Sequence, residues 1–580
     1  MRIEQELSNV AAAAIERALG VTAPPVLRPT ADARHGDYQV NAAMALAKQL
    51  GKKPRELAEP IAALLLEHPA IEKVEVAGPG FINLTLDSTW LAARLMEAAR
   101  DHARDGVDPV AAAKCVVVDF SSPNIAKQMH VGHLRSTIIG DALVRLLRQI
   151  GHRVIGDNHI GDWGTQYGLL LSGMREFGDL EALDRAPIEE LERIYKLASA
   201  RAKEDDGFAE RSRAELAKLQ TGDLGNLALW RKFVETTRTE LERIYARLDV
   251  TFDQWLGESA YSDRLPGVVT QLLERGLARE DQGAIGIFWQ DLPSVPAALK
   301  KQEEPFLVRK RDGAFLYSTT DIAALEFRKQ EWQADRCLYV VDARQHLHFT
   351  QLFAVAGLLG IELELEHVSF GTVLDEKGRP LKTRDGQAIT LSSLLDEAER
   401  RAAERILEGI EEGKLMLTRE EVPEVARKVG IGAVKYADLR QNRSSDYQFD
   451  WDKLVSFNGN AGPYLQYAYA RIASIFDKAG VSIDSAEGAI SLDAPEAQKL
   501  GRVLARFAEV VHQAAEACLP HLLTDHLYEL AKAFMAFYEA CPVLKSEGAT
   551  RESRLCLCAM TARQLKRGLG LLGISVVERM

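Results

Sequence analysis

The sequence predicts a multidomain α/β protein. A domain built on a parallel sheet and carrying insertions is preceded by an N-terminal α+β module and followed by a C-terminal all-α helix bundle. Three observations predict it. The apolar run Cys115-Val116-Val117-Val118 reads as a strand buried on both faces, as a parallel sheet requires. A helical pattern over Leu134 to Ile150, a C-cap signal at Gly151 and a second strand at His152 to Gly156 follow it. From about Thr418 onward the pattern is helical at nearly every step.

The 580 residues, at roughly 150 per domain, ask for three to four domains. In residues 1–110, helical patterns cover Glu4 to Leu19, Asn41 to Leu50 and Arg55 to His68. Two strand-like runs, Ile71 to Val76 and Phe81 to Leu86, are joined by the turn Ala77-Gly78-Pro79-Gly80. The charged, alanine-rich stretch Ala98 to Lys114 reads as a connector. Residues 111–415 hold the sheet domain, whose strand–loop–helix–strand order is half of a Rossmann-type doubly wound sheet. The logic repeats with a strand at Cys337 to Val341, a helix over His348 to Leu359 and a strand at His367 to Phe370. Between them, about 176–253 is charged and helical, an insertion with Trp230 and Tyr245 as packing anchors. Residues 416–580 form the bundle.

Composition narrows the class. Hydrophobic residues at 47% and charged residues at 27% exclude a disordered or fibrous chain. The longest apolar run, around Leu352 to Ile361, falls short of the ~18 residues a membrane helix needs. Glu4, Glu6 and Glu16 deny the N-terminus a secretory pattern, so a cytoplasmic protein is expected, with no membrane partner. Six cysteines without a C-x-x-C pair offer zinc no obvious ligand set, and buried structural thiols are expected. The net charge of −12 disfavours non-specific coating of nucleic acid, while a local basic track is still compatible with it.

The most informative segment is Ser121-Ser122-Pro123-Asn124-Ile125-Ala126-Lys127-Gln128-Met129-His130-Val131-Gly132-His133. Two histidines three apart, with a glycine between, stand where a buried strand gives way to a helix. A helix N-terminus presents unpaired N–H groups and a partial positive charge, which suits phosphate. Gly132 lets backbone approach a ligand, and imidazoles can donate to oxygens that gain charge in a transition state. A bare pattern of this kind also arises for structural reasons; the strand before it and the helix after it carry the functional reading.

This segment resembles the HIGH motif of class I aminoacyl-tRNA synthetases, in the extended form typical of the arginyl-tRNA synthetases. The blocks His159 to Gln166, Tyr317 to Asp321 and Val341 to His346, the run Trp451 to Tyr469 and the ending Gly573 to Met580 are similar to the bacterial type of that family, in matching order along essentially the whole chain. The resemblance implies activation of L-arginine by ATP, with Mg²⁺, and transfer to the 3′ terminal adenosine of tRNA for arginine, releasing AMP and pyrophosphate. His130, Gly132 and His133 would act at the reacting phosphate, with Ser122 and Pro123 also lining the ATP site. No DNA partner is implied, and a monomer is the default.

A guanidinium calls for planar, charge-assisted acceptors. Asp321 lies four residues after Tyr317, on one face of a helix; the resemblance makes this pair the guanidinium grip, adds Asp119 as a second acid, and gives Asn124 and Gln345 the α-amino and carboxylate groups. A helix-surface pair and a strand-end turn are the alternative readings. The family's second loop, KMSKS, corresponds to Gly378-Arg379-Pro380-Leu381-Lys382-Thr383-Arg384-Asp385-Gly386, which departs from it by holding one lysine. The resemblance offers Lys127 as a substitute, leaving Lys127, Lys382 and Arg384 as alternatives for the charge work.

For RNA, Phe81 and Asn83 share one strand face, an aromatic beside an amide that can stack on and read a base. The resemblance places them in a module that grips the tRNA D-loop; a small-sheet core is the alternative for Phe81. Lys428, Lys435, Arg440 and Arg443, with Tyr464, Tyr467 and Tyr469, suit an anticodon-stem surface, or else a solvated face and bundle core. Two rival functions stay open at this point: a class I enzyme for another amino acid, and a silent paralogue that only binds RNA.

Overall fold

The computed structural model describes residues 2–30, 32–375, 377–381, 389–486 and 488–580. The chain divides into two compact units, one of residues 111–402 and 433–454, the other of residues 1–110, 403–432 and 455–580. No helix among the described residues is long and apolar enough to cross a membrane.

The first unit is built on β1 (Cys115–Asp119), α1 (Val131–Gln149), β2 (Arg153–Asp157), the inserted helix α2 (Leu224–Arg247), α3 (Tyr317–Gln330), β3 (Arg336–Tyr339), α4 (His346–Leu359) and β4 (Glu364–His367). The sheet runs β4-β3-β1-β2, and all three ladders are parallel. Val116, Val117 and Val118 of the central strand are fully buried, each contributing about 1.5–3 kcal/mol. Register aligns the strand ends: Asp119 pairs with Asp157 on one side and Tyr339 on the other, and Tyr339 pairs with His367. Three acid or aromatic side chains and a histidine therefore crown the C-terminal edge, where doubly wound sheets bind ligands.

Two expectations shift. Helix α1 starts at Val131 rather than Leu134, because the histidine pair itself caps it. The last strand covers Glu364–His367 rather than His367 to Phe370. It lies at the sheet edge, so Glu364 and Glu366 can face solvent and pair with Arg336 (3.1 and 2.5 Å); an edge strand has no need of a continuous apolar run.

Helices Gln166–Phe177, Leu180–Arg185, Pro187–Glu204 and Asp206–Gln220 lead into α2. A three-stranded antiparallel sheet of Arg279–Asp281, Ala284–Ile287 and Phe306–Arg309 precedes α3. Arg135 of α1, 1% exposed, anchors this unit internally: its Nε lies 3.0 Å from the buried Asp438 carboxylate and its Nη1 donates to the Gly371 carbonyl at 2.8 Å. Nearby, Val373–Leu374 and Tyr447–Gln448 form a short parallel ladder.

The second unit joins the N-terminal module to the helices Gly462–Ala479, Pro495–Ala505, Phe507–Glu516, His521–Ala540 and Gly548–Leu571. The N-terminal sheet has four strands, two more than the pattern predicts: Leu27–Pro29 and Tyr38–Val40 add to Ile71–Ala77 and Phe81–Leu86. Ser88–Arg100 is a helix capped by the Asp87 carboxylate, which accepts from the Trp90 amide at 2.7 Å. Within this unit the guanidinium of Arg563 lies 3.2 Å from the buried Asp105, and Arg567 pairs with the same carboxylate.

Candidate active site

Strand β1 ends in a turn that L-residues rarely make. Ser121 and Ser122 have φ of 70° and 47°, and Ala126 follows at 62°. Each left-handed non-glycine residue costs on the order of 1–3 kcal/mol, a strain that collects at functional sites. Side chains hold it in place. The Ser121 amide donates to Ser136 Oγ at 2.8 Å, the Ser122 amide to Asn158 Oδ1 at 3.1 Å, and Ser122 Oγ to Asp119 Oδ1 at 2.9 Å.

The segment then delivers the histidine pair to the N-terminus of α1. His130 Nδ1 accepts from the Gly132 amide at 3.0 Å, and His133 Nδ1 accepts from the His130 amide at 3.2 Å, a reciprocal cap. Gly132 is required because a Cβ there would stand 2.7 Å from the His130 ring. An accepting Nδ1 places the proton of a neutral imidazole on Nε2. Burial pushes the His133 imidazole down to about 4, with His130 and Lys127 adding to the effect, and burial likewise lowers His130. At neutral pH the two rings, with centroids 4.1 Å apart, are therefore uncharged Nε2–H donors beside a helix N-terminus, suited to phosphate oxygens.

The chain passes these histidines again later. The Val131 amide donates to the Ile389 carbonyl at 3.1 Å and the Leu391 amide to the Met129 carbonyl at 2.8 Å. Lys382 and Arg384 lie outside the described residues. Lys127 is exposed, its Nζ 5.9 Å from the centre of the Tyr195 ring. Pro123 is buried and Ser122 half-buried in the same turn. Asn124 is exposed and bridges to Gly161; Gln345 is exposed at the start of α4.

Tyr317 and Asp321 do share one face of α3. Asp321 Oδ2 lies 2.7 Å from His348 Nε2 of α4, and the Tyr317 ring lies 5.2 Å from the His348 ring. Tyr317 is 62% exposed, which leaves its ring and hydroxyl open to a ligand. Glu258 adds a further acid: burial pushes its carboxyl up to about 7, the His159 ring opposes this, and Asp321 and Asp162 reinforce it. Asp162 is itself buried and accepts from the Ser259 amide and hydroxyl at 2.8 and 2.6 Å.

Asp119 is differently occupied from the expectation of an acid open to a guanidinium ligand. It is 6% exposed, and both its oxygens are engaged: Oδ1 by Ser122, Oδ2 by Arg328 Nη2 at 2.7 Å. The same nitrogen lies 2.7 Å from Asp157 Oδ2. Asn83 also departs from expectation: it is buried, its Oδ1 accepting from Gln39 Nε2 at 2.8 Å across the sheet, while Phe81 is half-buried. The basic stripe breaks as well. Lys435 is fully buried beside Asp141 at 3.7 Å, with burial lowering its ammonium to about 8, and Arg443 donates to the Ser369 carbonyl. Tyr469 is buried and donates to Glu578 at 3.1 Å.

The sequence reading missed Arg328, Tyr245's hydroxyl, Glu258 and His348. Only His348 carried a signal, as the second histidine of His346-Leu347-His348 beside Gln345.

A parallel sheet crowned by a strained turn and a histidine-capped helix is the architecture of a class I aminoacyl-tRNA synthetase, and residues 100–451 match the family model described as tRNA synthetases class I (R), catalytic domain. Residues 2–86 match the arginyl tRNA synthetase N terminal domain and residues 465–580 the DALR anticodon binding domain. The arginine–tRNA ligase of Pseudoalteromonas atlantica is 48% identical over 554 residues, 94% of each chain. The crystal structure of the Plasmodium falciparum arginyl-tRNA synthetase superposes with a TM-score of 0.84 at 27% identity, covering 100% of this chain and 99% of that one. The Thermus thermophilus arginyl-tRNA synthetase gives 0.81 at 27%, with 100% of both covered. The chain belongs to the arginyl-tRNA synthetase family.

Proposed function

We propose that this enzyme joins L-arginine to tRNA for arginine in two steps. An oxygen of the arginine carboxylate attacks the α-phosphorus of ATP, and the bond to the pyrophosphate oxygen breaks, giving arginyl-adenylate. The 2′-hydroxyl of the terminal adenosine then attacks the adenylate carbonyl, loses its proton, and AMP departs. ATP enters as its Mg²⁺ complex, so the metal belongs to the substrate.

The reading rests above all on the reciprocal cap of His130 and His133. Two neutral Nε2–H donors and the N-terminus of α1 meet the charge that grows on the α-phosphate, with no protein nucleophile needed. Asp321, oriented by His348, and Tyr317 receive the guanidinium; Asn124 and Gln345 hold the α-amino and carboxylate groups. Ser122 and Pro123 shape the nucleotide side of the turn. Lys127, Lys382 or Arg384 neutralises the pyrophosphate. Residues 1–110, with Phe81, contact the tRNA, residues 111–415 carry the chemistry, and residues 416–580 take the anticodon.

The test is ATP–pyrophosphate exchange with arginine and with a panel of other amino acids, with and without tRNA. Exchange with arginine, dependent on tRNA, supports the assignment. Exchange driven by a different amino acid would overturn the guanidinium site.

A further inference from the structure

The inserted helix α2 touches the strained segment at two points. The Tyr245 hydroxyl lies 2.7 Å from Ser121 Oγ and accepts from Asn158 Nδ2 at 3.2 Å, while the other end of the Asn158 amide accepts the Ser122 amide at 3.1 Å. Eight residues earlier on the same helix, Thr237 Oγ1 accepts the Ala126 amide at 3.4 Å. Ser121, Ser122 and Ala126 are the residues of this segment with positive φ. Eight residues advance a helix by about 12 Å in a little over two turns, so Tyr245 and Thr237 lie on one side of α2, alongside the run from Ser121 to Ala126.

The contact between Tyr245 and Ser121 joins two hydroxyls, either of which can donate. Ser121 Oγ in turn lies 2.9 Å from Thr137 Oγ1, which reaches the His133 carbonyl at 2.8 Å. All of these groups are buried: Ser121, Thr137, Asn158, Thr237 and Tyr245 are each at most 6% exposed. The Tyr245 ring packs independently of its hydroxyl, against Phe252 and Trp255 with centroids 4.9 and 5.7 Å away. Packing alone would be met by phenylalanine. A strained turn, by contrast, persists only when its surroundings over-determine it, and the two hydroxyls of α2 supply that.

We propose that α2 is a splint for the turn that carries the histidine pair, with Tyr245 and Thr237 as positioning residues for catalysis. The helical insertion thereby has a role in the chemistry of the sheet domain although neither side chain need touch a substrate. The activity arm of this inference rests on the proposed function; its structural arm does not.

The experiment uses the full-length protein with Tyr245→Phe and Thr237→Val, each of which removes a hydroxyl and keeps the packing. The kcat of arginine-dependent pyrophosphate exchange should fall about tenfold in Tyr245→Phe, the size expected for one buried hydrogen bond. KM for ATP and arginine should stay within about twofold, since an unbraced turn misplaces the donors more than it removes binding. Amide hydrogen exchange should accelerate over residues 120–127 in both variants while residues 115–119 keep their protection. Unchanged amide exchange over 120–127 would overturn the splint whatever the substrate proves to be. Unchanged kcat, or a loss matched by a lower melting temperature and faster exchange throughout the unit, would overturn the positioning role. If the parent protein shows no exchange with arginine even when tRNA is present, the functional reading fails, and the amide measurement still decides the splint.

Discussion

Arg328 and Asp119 form an ion pair beneath the active-site turn, Nη2 to Oδ2 at 2.7 Å, with the two side chains 1% and 8% exposed. The pair couples α3 to the end of β1, and through Ser122 Oγ it reaches the strained turn. Asp157 shares the same guanidinium nitrogen, so removing it leaves two buried carboxylates facing each other. Arg328→Met is expected to destabilise the protein by about 3–5 kcal/mol, the usual consequence of stripping one partner from a buried pair. Urea denaturation of the variant, set beside Asp119→Asn, measures it; the neutral amide should cost less because it removes a charge along with the bond.

On the proposed guanidinium site, the contact between His348 and Asp321 is expected to bear on substrate choice. Asp321→Asn keeps the side-chain shape and loses the charge that a guanidinium seeks. The kcat/KM for arginine should fall by about 10²-fold or more, as for truncating one side of a desolvated charge pair, with KM for ATP unchanged. Steady-state exchange kinetics at varied arginine and ATP separate the two.

On the proposed arginine site, Glu258 is expected to make arginine binding pH-dependent. Its carboxyl, pushed up to about 7 chiefly by burial, is neutral below that pH and ionised above it. Ionisation adds negative charge near Asp321, so KM for arginine should decrease as pH rises from 6 to 8, and Glu258→Gln should flatten that trend. Stability moves the other way. A folded pKa above the ordinary 4.5 gives a contribution that is complete below 4.5 and lost as pH climbs through about 7. Glu258→Gln should therefore gain stability over the parent at pH 8, as read from urea midpoints.

His526 provides a test in the helical unit. Among the described residues neither ring nitrogen has a hydrogen-bond partner, its ring lies 6.0 Å from that of Phe507, and burial holds the imidazole down to about 3. Above pH 6.5 it is neutral folded or unfolded and contributes no slope. As pH falls from 6.5 towards 3, the unfolded chain takes up a proton that the folded one refuses, and stability drops. At pH 5 that penalty is about 2 kcal/mol. His526→Leu should remove it, shifting the acid limb of a pH–stability curve while altering stability at pH 7.5 by less than about 1.5 kcal/mol.

Local chemistry explains what could be read in the chain. Val116 to Val118 announced a buried strand because both faces of a parallel sheet ask for apolar side chains, and His130, Gly132 and His133 marked the junction of that strand with a helix, although the reciprocal cap that starts the helix at Val131 was not legible. The placement of Tyr317 and Asp321 on one helix face was legible, through helical spacing. Asp119 and Asn83 were not: each looked available until tertiary contacts supplied Arg328 and Gln39. Strand Glu364–His367 hid for a related reason, since an edge strand tolerates the charges that the pattern excludes.

The buried central strand, the histidine pair at a strand–helix junction and the shared helix face of Tyr317 and Asp321 could be read from the chain because they are set by neighbours within a few residues. Which side chains those elements leave open, and what holds the rest, depends on contacts between distant segments. Ser121 meets Tyr245 across 124 residues of chain, and Asp119 meets Arg328 across 209. A buried hydroxyl or charge must find a partner wherever the fold brings one, and no local pattern specifies which distant residue that will be.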